Sequence, residues 1–319
     1  MSPSKENQQN LQLRLFMFLL KTKSSQRRVF NLTRGFLVGL GFLANLIIVP
    51  TFVLLFALIQ FLLPFKWWRQ FFNAIAVCIH RNWYSINGVL LRMGLFPGKW
   101  EVVGHCELNR KSWYLIICNH QSSVDIFLLG AVFIYKIPLL KFFMKKQLLW
   151  TLPFASWVCY VSGSPFLNRY SKSEIKKNPQ LKLKDAEATK KACEVFRNDP
   201  TTVINFVEGT RCTPEKQKRS HSPFRHLLKP RAGGISTVMS GMSDYLTGII
   251  NVTIKYEGAT PTLWNCICGN VDRIKIHYEV LPITPDMVGD YYEDKFFRIQ
   301  FQHWLNHIWE QKDRVLDRI

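Results

Sequence analysis

Acidic residues are scarce in this 319-residue chain: 22 Asp and Glu stand against 42 Lys and Arg, a formal net charge of +20. That excess points to a polyanionic partner: nucleic acid, an anionic membrane surface or a phosphorylated substrate. A second long apolar run is missing, which excludes a polytopic membrane protein. Cysteine pairing is missing as well. Most of the eight Cys stand alone in apolar runs, and Cys266 and Cys268 have no second pair or His cluster to complete a zinc set. The expectation is buried reduced thiols, with no metal and no disulfide. No internal repeat or low-complexity linker is visible, and no cleavable signal peptide is expected. What is abundant excludes disorder: 48% of residues are hydrophobic and only 20% charged. The 24 Phe and 10 Trp shift the expected partner towards a membrane surface, where Trp and basic residues both sit well.

The single apolar run extends from Gly35 to Phe65. It exceeds the roughly 20 residues of one crossing and falls short of the roughly 40 of two. Pro50 near its middle can kink or break a helix. Both flanks are basic: Lys21, Lys23, Arg27, Arg28 and Arg34 before it, Lys66, Arg69, Arg81 and Arg92 after it. Basic flanks prefer the cytoplasmic side. A re-entrant hairpin keeps both there, and one tilted span does not. Four regions follow: a polar, basic segment over 1–34; a membrane segment over 35–66; an interfacial helical region over 67–98, carrying Trp67, Trp68 and Trp83; and an α/β domain over 99–319. In the last, strand-like runs at Glu101–Cys106, Trp113–Cys118, Val203–Val207, Ile249–Tyr256 and Arg273–Leu281 alternate with helical patterns near 123–135, 181–198, 234–243 and 290–316.

The chemistry-bearing strings lie where these strands end. Cys118-Asn119-His120-Gln121-Ser122-Ser123-Val124-Asp125 runs from a strand into a helix, as active-site loops of α/β domains do. His120 is the natural general base, and Asp125 can fix its tautomer. Asp or Ser before an apolar run also serves as an ordinary helix cap. Asn205 to Arg211 places Glu208 and Arg211 around Gly209, and Arg suits bidentate phosphate contacts. Ser162 to Arg169 is another Gly turn, at Gly163, followed by Arg. Leu228-Lys229-Pro230-Arg231-Ala232-Gly233-Gly234 is a basic Gly-rich turn entering a helix.

Taken in this order, the strings resemble the 1-acylglycerol-3-phosphate (lysophospholipid) acyltransferase family. Asn119, His120 and Asp125 match its first motif, and Phe206 to Arg211 match its third in full. Gly163 to Arg169 is similar to the second, with Asn168 where an acid often stands. Gly248–Thr253 resembles the fourth without its proline. The Leu228–Gly234 string looks most like the branch of the lysocardiolipin and lysophosphatidylinositol acyltransferases and their bacterial relatives. The resemblance covers about residues 90 to 285. It implies a layered α/β glycerolipid-acyltransferase-like domain behind an N-terminal membrane-embedded helical segment. It also implies acyl transfer from acyl-CoA or acyl-carrier protein to the sn-2 hydroxyl of a lysophospholipid, by default lysophosphatidic acid, without a cofactor or metal. His120 and Asp125 would be catalytic. Arg169, Glu208, Gly209, Thr210 and Arg211 would bind substrate, supported by Asn119, Gly163, Lys229 and Arg231. Other expected acceptors are lysophosphatidylglycerol, lysocardiolipin and lysophosphatidylinositol.

The expected surroundings are an anionic bilayer and no nucleic acid, with the domain on the cytoplasmic face of a bacterial inner membrane. Two other classes compete. A thioester hydrolase would use the same His–Asp pair with Ser122 or Ser123 nearby, although no Gly-x-Ser-x-Gly elbow is present. A non-catalytic membrane or nucleic-acid binder would use the charge alone.

Overall fold

The computed structural model describes residues 5–60, 62–95, 98, 100–104, 106–168, 170, 172–178 and 180–319, with side chains from Ser25 onward apart from 172 and 173. Two long helices lead: α1 (Lys5–Ile59) and α2 (Lys66–Gly94). The α/β part begins with β1 (Trp100–Val103), β2 (Tyr114–Cys118), α3 (Val124–Phe133), β3 (Leu140–Phe142) and β4 (Met144–Lys145). It continues with α4 (Leu148–Thr151), α5 (Ala155–Val161), β5 (Phe166–Leu167), α6 (Lys172–Lys177), α7 (Gln180–Glu194) and β6 (Thr202–Phe206). It closes with α8 (Pro214–Ser220), α9 (Ala232–Gly241), β7 (Gly248–Tyr256), α10 (Leu263–Ile267), β8 (Ile274–Leu281) and α11 (Lys295–Arg318).

Six strands form one sheet in the order β1-β8-β7-β2-β6-β3, and β4 pairs with β5 in a small second sheet. All pairs are parallel except β7–β8. The central strand β2 is buried along its whole length, as a parallel strand covered on both faces must be. Its side chains alternate between two cores. Ile116 and Cys118 pack towards α2 and α3, and Leu115 and Ile117 towards α9 and α11. Cys118 stands level with Phe206 of β6 and Val252 of β7. The C-terminal ends of β2, β6 and β7 therefore share one edge, and the loops leaving β2 and β6 meet there.

The segment expected in the membrane is built mainly from α1. α1 is one continuous helix that passes through Pro50 and ends at Ile59, so the chain does not turn back at Pro50. Proline removes one hydrogen bond, yet the apolar residues on either side offer no turn chemistry to divert the chain. The reversal comes later, over 60–65, where Trp68 Nε1 donates to the Ile59 carbonyl at 3.0 Å. α2 then returns along α1. Buried Asn45 donates to Asn87 Oδ1 at 2.8 Å and to the Trp83 carbonyl at 3.3 Å, fixing the pair in register. α2 combines two expected roles: Trp83, Tyr84 and Leu91 are buried, while Trp67, Phe71 and Val89 are exposed. Residues 171–190, expected as a surface loop running into a helix, contain α6 and most of α7.

Candidate active site

The loop after β2 turns on two side chains. Asn119 is fully buried and its amide bonds both backbone groups of Ile254, each at 2.9 Å, so it extends the ladder to β7 by side chain. Released from the sheet, the chain lifts His120 to the sheet edge, where its side chain is 16% exposed. His120 Nδ1 lies 2.8 Å from Asp125 Oδ2. The same oxygen accepts from the Gln121 and Ser122 amides at 2.7 and 3.0 Å. Oδ1 accepts from the Tyr256 hydroxyl at 2.5 Å. An acceptor so surrounded takes Nδ1–H and leaves the Nε2 lone pair as the basic atom. The His120 ring stacks on Phe206, with centroids 4.0 Å apart.

Tyr256 went unnoticed in the sequence except as the end of a strand. Its position there, level with the loop leaving β2, is what brings its hydroxyl to Asp125. Burial and the Asp125 charge hold the phenol well above its ordinary value, so it serves as a neutral donor.

Glu208 departs from its expected place among substrate-binding residues. It is 1% exposed and its carboxyl turns inward. Oε1 accepts from the His120 amide at 3.1 Å and Oε2 from the Leu228 amide at 3.0 Å. It clamps the His120 loop to the segment before α9. Burial pushes its carboxyl up to about 7, opposed by those two amides and by Lys312. Lys312 comes from α11 and is also fully buried; burial brings it down to about 8. It donates to the Val252 carbonyl and to Thr253 Oγ1 beneath the site.

Gly209 adopts φ +68°, a conformation that side chains strain, and a Cβ there would come within 3.1 Å of the Arg231 side chain. Thr210 accepts from Lys216 Nζ at 2.7 Å. Arg211, Lys229 and Arg231 are exposed. Gly163 has φ +79°, as a turn there requires. Arg169 lies outside the described residues. Beside His120 opens a cavity of about 530 Å³, lined by Lys145, Asn205, Phe206, Gly209, Arg231 and Tyr292 among others. Lys145 had no motif to reveal it; pairing of β4 with β5 puts it there. Ser122, the alternative nucleophile, is buried. It donates to the Pro261 carbonyl at 2.6 Å and accepts from the Val124 amide at 3.2 Å, which commits it to the loop.

Residues 99–255 match the acyltransferase family model. The chain is 36% identical to a 1-acyl-sn-glycerol-3-phosphate acyltransferase of Saccharomyces cerevisiae over 193 residues, 60% of this chain and 56% of the yeast protein. It is 28% identical to 1-acyl-sn-glycerol-3-phosphate acyltransferase 2 of Arabidopsis thaliana, over 58% of this chain and 50% of that one. The chain thus spans about half the length of the relatives it matches. Its fold is that of the crystal structure of the 1-acyl-sn-glycerophosphate (LPA) acyltransferase from Thermotoga maritima, with a TM-score of 0.52, 17% identity, and coverage of 92% of this chain and 97% of that one. With the His–Asp pair and the Phe206–Arg211 turn meeting at one sheet edge, residues 99–255 carry an acyltransferase-type domain similar to that of the 1-acyl-sn-glycerol-3-phosphate acyltransferases.

Proposed function

We propose that the protein transfers a fatty acyl chain from an acyl thioester to the free sn-2 hydroxyl of a lysophospholipid, with lysophosphatidic acid giving phosphatidic acid as the leading case. The observation that carries this reading is the His120–Asp125 hydrogen bond beside the Phe206–Arg211 turn. His120 Nε2 takes the proton of the hydroxyl, and the oxygen attacks the thioester carbonyl. When the tetrahedral intermediate collapses, the C–S bond breaks and the thiolate takes the proton back from the imidazolium. Asp125, held by two amides and Tyr256, stabilises that imidazolium without moving. Arg211 takes the acceptor phosphate, with Arg169 as the second contact that the motif resemblance implies. Glu208 acts on the loop and not on the substrate. Committed Ser122 disfavours a seryl hydrolase.

The arrangement of α1 and α2 supports a protein seated in one leaflet. Among the described residues, α1 alone is long and apolar enough, over Ser25–Ile59, to cross a membrane. Near one end, however, Arg34 donates to the Cys268 carbonyl at 2.7 Å, and towards the other Val53 is buried in the domain core and α1 contacts α5. Between Arg34 and Val53 the domain flanks the helix. A spanning α1 would drag the domain into the hydrocarbon, whereas a helix lying in the leaflet presents Phe36, Leu40, Leu43 and Ile47 to lipid and keeps both basic flanks on one side. We assign that side to the cytoplasm, as for a bacterial inner membrane. A protease-protection result placing His120 on the opposite side overturns the assignment.

The test is transfer of labelled oleoyl groups from oleoyl-CoA or oleoyl-carrier protein to a panel of lysophospholipids, including lysophosphatidylinositol and lysocardiolipin because of the Leu228–Gly234 resemblance. A diacyl product that disappears in His120→Ala is expected. Free fatty acid as the main product sinks the transferase reading.

A further inference from the structure

A second cleft, of about 570 Å³, opens beyond the Gly209 turn and is lined by Thr210, Lys216, Arg219, Lys229, Pro230 and Arg231 among others. Its volume lies within the roughly 300–1,000 Å³ of small-molecule sites. Its walls are fixed. α8 is capped by Thr213, and Gln217 Nε2 bonds the Phe224 and Arg225 carbonyls at 3.0 and 2.7 Å. On the facing wall Pro230 is buried between exposed Lys229 and Arg231, and the Arg231 amide bonds the Val207 carbonyl at 2.9 Å. Lys216 Nζ is held at the mouth by Thr210 Oγ1 and, at 3.1 Å, by the Arg211 carbonyl.

The charges in this cleft are uncompensated. A few surface cations find carboxylates, as Arg197 does in Asp244, Arg225 in Asp317 and Lys275 in Glu257; what sets this cleft apart is that four unpaired cations line one concavity. Among the described residues, no carboxylate pairs with Lys216, Arg219, Lys229 or Arg231. Glu208, the one acid that touches the cleft, is turned away onto two backbone amides. Four cations gathered in a concavity without a protein partner call for a ligand carrying several phosphates. The cleft also leads from the reacting centre, since the Cys212 amide beyond Arg211 bonds the His120 carbonyl at 2.6 Å.

We infer that this cleft binds the phosphate-bearing nucleotide end of a coenzyme A thioester, its diphosphate and 3′-phosphate meeting Lys216, Arg219, Lys229 and Arg231. The inference rests on the acyl-transfer reading and names its donor. Arg231 then stands between two anions, with Lys145 and the 530 Å³ cavity on one side and the donor cleft on the other. An acidic carrier protein would meet a broad basic face, whereas these cations point into a recess.

The test uses the full chain in neutral detergent micelles, so that binding to an anionic bilayer does not enter. Three donors are compared with lysophosphatidic acid as acceptor, oleoyl-CoA, oleoyl-3′-dephospho-CoA and S-oleoyl-pantetheine, with oleoyl-carrier protein run alongside them. Each is run on wild type and on Arg219→Ala/Lys229→Ala. Both replaced side chains are exposed, and circular dichroism checks the fold, with Lys229→Gln as the milder variant. Losing charged phosphate contacts should raise the KM for oleoyl-CoA about tenfold to hundredfold at unchanged kcat. S-oleoyl-pantetheine should be the poor donor on wild type and lose nothing further in the variant. Transfer with equal KM for all three donors, an unchanged KM in the variant, or transfer from carrier protein alone overturns the inference while leaving acyl transfer intact. No transfer from any donor, carrier protein included, removes the acyl-transfer reading itself.

Discussion

The reacting centre and the basic cleft adjoin, yet they are built on opposite rules. Around His120 the polar groups are bonded to one another: Asp125 has four donors, Glu208 two, and Asn119 completes a strand ladder. In the cleft, the cations are exposed and lack protein acceptors apart from anchored Lys216. The first arrangement meets the cost of desolvation during folding, so little reorganisation remains for the reaction. The second leaves its charges in water until an anion arrives. Substitutions in the centre should therefore lower kcat or stability, and those in the cleft should act through KM.

The strongest way to break this contrast is His120→Ala, expected to lower kcat by about 10²–10⁴ with little change in stability. Single-turnover transfer assays and thermal melts decide it; a variant retaining a tenth of the activity removes His120 as the base. Next is Glu208→Gln. The Glu208 carboxyl, raised by burial to about 7 from an ordinary 4.5, holds its proton more tightly folded than unfolded. Its burial costs nothing at low pH and increasingly more as pH rises from about 4.5 to 7. Wild-type stability should fall across that window relative to the variant, by up to roughly 3 kcal/mol. The amide also loses one acceptor, which lowers the variant at every pH by about 1–3 kcal/mol. Parallel Tm curves for the two proteins from pH 4 to 8 would remove Glu208 from the account.

Tyr256→Phe sharpens the contrast more gently. It strips one donor from Asp125 and should lower kcat about tenfold at constant acceptor KM. A shift in KM alone would put the hydroxyl on substrate instead. The smallest effect belongs to Lys216→Met, which frees Thr210 from its anchor. Donor KM should rise by less than about fivefold at unchanged kcat, and a large kcat loss would join cleft and centre into one unit.

Much of the centre was legible because it is local. Asn119, His120 and Asp125 lie within one turn, and the buried run Leu115–Cys118 announces the strand that presents them. What escaped depends on distant register or on shortness. β3, β4 and β5 have three, two and two residues, too few for alternation to show. Tyr256 reaches Asp125 across 131 positions of sequence. Pro50 reads as a break, and the packed pair α1–α2 overrides it. Lys312 did leave a trace: it occupies the apolar register of α11 with Phe301, Leu305, Ile308 and Leu316. A lone lysine in such a stripe implies a buried ammonium with acceptors waiting.

That lysine shows that what this chain needs in order to fold extends beyond the matched region. The matched region stops at residue 255, inside β7. Lys312 lies well beyond it and solvates the Val252 carbonyl, while Lys255 and Lys275 bond the final carbonyls of α11. A fragment cut at the family boundary would leave β7 without β8 and α11, and one layer of the core would face water. The smallest autonomous unit is thus wider than the matched region, and the helix that closes it also carries a lysine beneath the reacting centre.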